Sequence, residues 1–138
     1  MKVKQIKDLI GTDSEVPFDN GKNVSIRPVL ARDGLGFSVH KTIIPKGGPY
    51  HWHYTHHLEA CYCIQGKGVL KDLKTKVEYS IAPDTIYLLD GHDDHTFEAL
   101  EDIVLISIFN PPVTGKEVHR EDGSYDIVKV TTFLSPEL

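Results

Sequence analysis

The densest chemistry in the chain lies between Pro49 and Gly66, PYHWHYTHHLEACYCIQG, which gathers four of the eight histidines, one carboxylate and both cysteines. Imidazole and carboxylate groups held on a stiff element are ligands that borderline divalent metals favour. A buried Glu among histidines is costly unless positive charge compensates it. The segment therefore predicts a metal site. Side chains alternate along a strand, so Glu59, Cys61 and Cys63 share one face, and Ala60, Tyr62 and Ile64 share the other. The same period of two aligns Asn23, Ser25, Arg27 and Val29, then His40, Thr42 and Ile44, then Ile103, Leu105, Ser107 and Phe109. In a small barrel one row from each strand faces a common cavity, so polar residues in these rows are candidates to meet a ligand beside Glu59.

The elements that must carry these rows are short strands. They are expected near 24–31, 36–44, 58–64, 67–72, 76–81, 85–90, 95–100 and 102–109. Turn chemistry separates them: RDG at 32–34, PKGG at 45–48, QGKG at 65–68, APD at 82–84, DGHDD at 90–94 and NPP at 110–112. Many short strands at regular spacing predict an all-β sandwich or barrel. Only Val3 to Ile10 reads as a helix, stopping at Gly11. The chain of 138 residues is long enough for one domain with its own core. We expect that core over about 20–125, with 1–19 and 126–138 as flanking arms. A formal net charge of −5 argues against a nucleic-acid binder. No apolar run is long enough to span a membrane, and the opening MKVKQIKDLIGTDSEV has no apolar core of a signal peptide. Cysteines at i and i+2 make a poor disulfide pair, so a reduced, cytoplasmic setting is expected.

Two spacings carry a resemblance. G-x2-H-x-H-x5-E-x6-G from Gly48 to Gly66 resembles the first cupin motif, with His53 to Glu59 one residue longer than most versions. P-D-T-x9-H from Pro83 to His95 resembles the second. A narrower likeness covers roughly 20–125. GFSVHKTII at 36–44, HHLEACYCIQGKG at 56–68, IAPDTIYLLDGHDDH at 81–95 and ISIFNPPVTGKEVHREDGSY at 106–125 are similar to the ectoine synthases, a family of small cupin enzymes. The resemblance implies a single-domain jelly-roll cupin, with a metal, most often iron(II) and with zinc as an alternative, held by Glu59, Tyr87 and His95. It displaces the plain cupin expectation that His51 and His53 are ligands. These two, with His56 and His57, become rim or supporting groups, one of them a possible fourth ligand.

The family closes N-γ-acetyl-2,4-diaminobutyrate into a cyclic amidine with loss of water. That reaction needs a polarised carbonyl, a free amine and proton transfer to the leaving oxygen. The resemblance gives Arg27 to the substrate carboxylate, and Tyr54, Glu117 and His119 to proton handling and substrate binding. Thr42, Ser107 and Phe109 join the pocket. It also implies a homodimer acting on a small molecule, without nucleic acid or membrane. Read from the residues alone, Glu117 and His119 sit in an ordinary charged turn, and Phe109 and Tyr87 are ordinary core aromatics. Asn23 stands where the family carries Trp, a loss expected to enlarge the pocket, and Ser107 stands where it carries Cys. His40 and His53 add titratable groups. These departures keep two other readings open: a metal cupin with different chemistry on a related substrate, and a ligand-binding cupin without turnover.

Overall fold

A computed structural model describes residues 1–125. Its strands are β1 (Glu15–Phe18), β2 (Asn23–Val29), β3 (Ser38–Ile44), β4 (Gly47–His53) and β5 (Leu58–Gln65), followed by β6 (Gly68–Asp72), β7 (Glu78–Ile81), β8 (Ile86–Leu89), β9 (Asp94–Ala99) and β10 (Ile103–Asn110). They form two antiparallel sheets, β1-β2-β3-β10-β5-β8 and β4-β9-β6-β7. The all-β expectation holds. The helix expected over Val3–Ile10 does not form; only a single 3-10 turn, Ile6–Asp8, is present. That turn buries no side chain, and Val3 and Ile10 are exposed, so no apolar face repays the cost of nucleating a longer helix.

Two strands were not foreseen. β1 is a short edge strand carrying Pro17, where a proline costs no ladder bond. β4 begins inside the PKGG stretch expected to be a turn, and it runs through the histidine cluster. The tail expected beyond Tyr125 lies outside the described residues.

Alternation sorts the side chains as expected. Burial along β3 and the first half of β10 strictly alternates, placing His40, Thr42, Ile44, Ile103, Leu105, Ser107 and Phe109 inside. Asn23, Ser25 and Arg27 are buried too, but Val29 leaves the row where the β2–β3 register shifts. Across the six-stranded sheet the register builds rungs. Ile103 opposes Ile44, Leu105 lies between Thr42 and Cys63, and Ser107 lies between His40 and Cys61, whose other neighbour is Tyr87. Phe109 then opposes Ser38 on one side and Glu59 on the other. The interior therefore changes character along the strands. One end is apolar, with Ile44, Cys63, Ile81, Phe97 and Ile103, and the other is polar and aromatic. Both cysteines are free and buried.

The segment after β10 folds back over the polar end. Val113 N–H donates to Ser38 Oγ at 3.1 Å, and Val113 carbonyl accepts from Ala31 N–H at 2.9 Å. Further on, His53 N–H of β4 donates to the Gly123 carbonyl at 2.8 Å. Gly123 has φ +86°, and a Cβ there would stand 2.7 Å from His53 N, so only glycine lets the loop approach this closely.

Candidate active site

The polar end of the interior encloses a small cavity lined by, among others, Thr42, Trp52, Tyr54, Glu59, Tyr87 and His119. Its volume is about 20 Å³, room for one water. A larger groove of about 560 Å³ opens between the edge strands β7 and β8 and reaches Tyr87 and His95 from outside. Chemistry is placed at the inner cavity because buried polar groups converge there, whereas volume alone selects the groove.

Each group is set by its strand. Glu59 lies at the start of β5, 9% exposed, with hydrogen bonds from Cys61 and Ser107 and no cationic partner among the described residues. Burial pushes its carboxyl up to about 7, against the pull of those two bonds. Cys61 also hydrogen-bonds Tyr87 on the neighbouring strand, so one thiol joins Glu59 and Tyr87. Burial, then the charges of Cys61 and Glu59, hold the Tyr87 phenol well above its ordinary range.

His95 is 1% exposed on β9. Its Nδ1 lies 2.9 Å from the Asp93 carbonyl, and a carbonyl only accepts, so Nδ1 carries the proton. Nε2 is left with a lone pair, buried and without a hydrogen-bond partner. Burial holds this imidazole below its ordinary value and so neutral. A buried imidazole lone pair with the other nitrogen fixed by a carbonyl is how histidine is presented to a metal; Tyr87 lines both spaces, whereas Glu59 lines the inner cavity and His95 the outer groove. Among the described residues no three His, Cys, Asp or Glu side chains converge as a metal cluster. The donor set expected here replaces one of them by a phenol. The orphaned Nε2 and the uncompensated buried carboxylate fit a divalent cation, which would also favour the Tyr87 phenolate.

Tyr54 Oη and His119 Nε2 are 2.6 Å apart. Burial and the nearby Tyr125 and Glu59 keep the Tyr54 phenol protonated far above its usual range. Burial, then the Arg27 charge, lowers His119 to about 3, so it is neutral across ordinary pH. The phenol is therefore the donor and the imidazole the acceptor. Arg27 is 1% exposed. Its Nε donates to Ser25 Oγ at 3.0 Å, Nη1 donates to the Gly115 carbonyl at 2.8 Å, and Nη2 has no partner. The guanidinium lies over the Tyr125 ring, 5.7 Å from its centroid, and no carboxylate among the described residues pairs with it. A buried cation with a free donor is poised for an anion. Thr42 Oγ1 and Ser107 Oγ are 2.9 Å apart on the same wall, and Phe109 stacks on His40.

Glu117 sits apart from the residues that line the cavity. Its oxygens accept from Thr114 N–H, Thr114 Oγ1 and Gly115 N–H at 2.7, 3.0 and 2.8 Å. It thereby fixes the turn whose Gly115 carbonyl holds Arg27. His51 and His53 lie on the face of β4 opposite Trp52 and pair with Asp94 outside the cavity. His56 is exposed, while His57 is buried against Phe109 and Tyr125.

The Trp52 indole walls the cavity and stacks on His119. Trp52 and Tyr125 were not singled out from sequence. Tyr125 reaches the site only because the last loop returns, whereas Trp52 was detectable by its parity between His51 and His53.

Two sheets closed over a polar, aromatic-lined cavity are the arrangement of the cupins, and solved structures bear this out at the level of fold. The cupin domain of Schizosaccharomyces pombe Cnp3 matches 65% of this chain and 65% of its own with TM-score 0.55 at 11% identity. The chain belongs to the ectoine synthase family, whose model matches residues 1–129. It is 45% identical over 128 residues to the L-ectoine synthases of Desulfatibacillum aliphaticivorans and Halalkalibacterium halodurans, covering 93% of this chain and 98% of each relative. The crystal structure of ectoine synthase from P. lautus superposes with TM-score 0.76 at 35% identity, covering 83% of this chain and 80% of that one.

Proposed function

We propose that the chain is a cyclising hydro-lyase that closes N-γ-acetyl-2,4-diaminobutyrate to ectoine. In this reaction the α-amino nitrogen bonds to the acetamide carbon. The carbonyl C–O bond breaks, and the two protons lost by the amine leave with that oxygen as water. The single observation that carries the reading, beyond family membership, is the buried Arg27 with its free Nη2, its guanidinium over the Tyr125 ring that packs on both Tyr54 and His119. Arg27 takes the substrate carboxylate, which turns the amine and amide toward the pair. The proton lost by the attacking amine reaches neutral His119 through the Tyr54 hydroxyl bonded to its Nε2, and Tyr54 donates in turn toward the departing oxygen. Thr42 and Ser107 offer hydroxyls to the substrate, and Phe109 presents an apolar wall. Glu117 acts through the Arg27 turn. A divalent metal, iron(II) by preference and zinc as the alternative, would be held by Glu59, Tyr87 and His95 and would polarise the amide carbonyl.

A cavity of about 20 Å³ is far below the several hundred Å³ usual for ligand pockets, so its walls must open to admit substrate. A jelly-roll barrel, a cytoplasmic setting suited to two free thiols, and a homodimer complete the reading. The reaction is tested by incubating the protein with Fe(II) and N-γ-acetyl-2,4-diaminobutyrate without oxygen and following the cyclic product by NMR. Folded, metal-loaded protein that forms no amidine would refute the assignment. Turnover that consumes oxygen would move the protein to a different chemistry on the same scaffold.

A further inference from the structure

The indole of Trp52 is the hub of the aromatic packing around the cavity. It stacks on His119 at 5.3 Å with 10° between planes, and on Tyr50 and Phe97 at 5.8 Å. It meets His95 edge-on at 6.3 Å and Phe18 at 6.0 Å. One side chain thus touches both the neutral base proposed for the reaction and the imidazole proposed to face the metal. Stacking fixes the plane of a ring but leaves it free to slide and rotate within that plane. A directional bond is needed to stop that motion, and here there is one such bond.

Trp52 Nε1–H donates to Asp19 Oδ2 at 3.1 Å, across 33 residues of sequence. Asn23 Nδ2 donates to the same oxygen at 3.0 Å. Asp19 opens the turn between β1 and β2, where Asp19 and Asn20 have φ +53° and +59°. Asp and Asn are among the residues that tolerate this left-handed backbone in a turn. Burial raises the Asp19 carboxyl, opposed in part by the bonds from Trp52 and Asn23. Phe18, the preceding residue, packs against His119 at 5.3 Å. The turn therefore grips the His119–Trp52 stack from two sides.

We infer that Asp19 is a positioning residue for the reaction, locking the Trp52 indole so that His119 stays within reach of Tyr54. The inference rests on the proposed cyclisation only where turnover is read. His119 has one hydrogen bond, from Tyr54, and its Nδ1 is unpartnered, so its orientation depends on that bond and on its aromatic neighbours. Asn23 donates to the same carboxylate from β2 but touches neither the indole bond nor the cavity.

Trp52 is the chain's only tryptophan, so its emission reports the lock directly. In Asp19→Ala the emission shifts and broadens, and the ring-nitrogen NMR signals of His119 shift with it. Misplacement of about 1 Å can cost on the order of 100-fold in rate, so kcat should fall about tenfold or more. KM changes little, because Arg27 is untouched. Asp19→Asn restores emission and kcat, since one carbonyl oxygen can accept from both donors. Asn23→Ala, which leaves the indole bond in place, keeps the wild-type emission and most of the activity. Rescue by Asn also separates the lock from a general loss of folding. Asp19→Ala with unchanged emission and unchanged His119 signals would overturn the inference, as would altered spectra with unaltered kcat. If wild-type protein shows no cyclisation, the proposed function fails, and the two spectroscopic readouts still decide whether Asp19 holds the stack.

Discussion

Replacing Glu59 by Gln in the metal-free protein should change how stability depends on pH, by an amount the structure fixes. Folding moves this carboxyl from 4.5 to about 7, chiefly through burial. The folded state therefore binds the proton more tightly than the unfolded chain. Its contribution is fully present below pH 4.5 and is lost as pH rises through about 7. The loss corresponds to about 3 kcal/mol. Gln is neutral throughout and nearly isosteric, so Glu59→Gln lacks this dependence. The buried histidines titrate in both proteins and cancel in the difference. Urea melts of EDTA-treated wild type and variant between about pH 4 and pH 8.5 measure it. The stability of wild type minus that of the variant should be greatest at the acid end of the range and fall by about 3 kcal/mol by about pH 8. A divalent cation should reverse that fall in wild type alone. A difference that stays constant across the range would refute the claim that Glu59 is buried without a compensating charge.

Other consequences follow from single contacts. Arg27→Gln should raise KM on the order of 10- to 100-fold while the protein stays folded, since a charge-assisted bond is lost; steady-state kinetics check it. His95→Ala should lose metal retained through gel filtration, measured by elemental analysis, and full occupancy in the variant would remove His95 from the ligand set. Gly123→Ala should loosen the last loop without unfolding the sheets, seen as faster hydrogen exchange at the His53 amide that bonds Gly123. On the acid side, His119 contributes stability above its unfolded value of 6.5 that is lost as pH falls toward about 3, so His119→Phe should flatten the acid limb of the melting profile.

The sequence made the strand rows legible because alternation is a strong local signal. Glu59, Cys61 and Cys63 could be assigned to one face without knowing what lay opposite, as could the Ile103–Phe109 row. What escaped it was encoded by distance or disguised by local chemistry. β4 begins with Gly47, Gly48 and Pro49, residues that ordinarily mark a turn, and its strand character comes from pairing with β9. The histidines of that strand attracted a metal reading, yet their parity puts them outside and Trp52 inside. Glu117 looks like a free acid in a charged turn, but three donors within three residues of it occupy both oxygens. The Asp19–Trp52 bond joins segments whose proximity no local pattern announces. The helix expected at the N-terminus failed for the opposite reason, a local pattern with nothing to pack against.

The change of character along the strands has a consequence for how such a protein can vary. Ile44, Phe97 and Ile103 form the sealed end, while His40, Glu59 and Ser107 occupy the other end of the same strands. Cohesion and reactivity are thus stacked as two storeys of one shell, sharing every wall but almost no side chains. Phe97 is the seam, stacking on Trp52 and Tyr87; substitutions away from that seam on the upper storey should leave the lower one in place, so new pocket chemistries can be sampled without first strengthening the molecule.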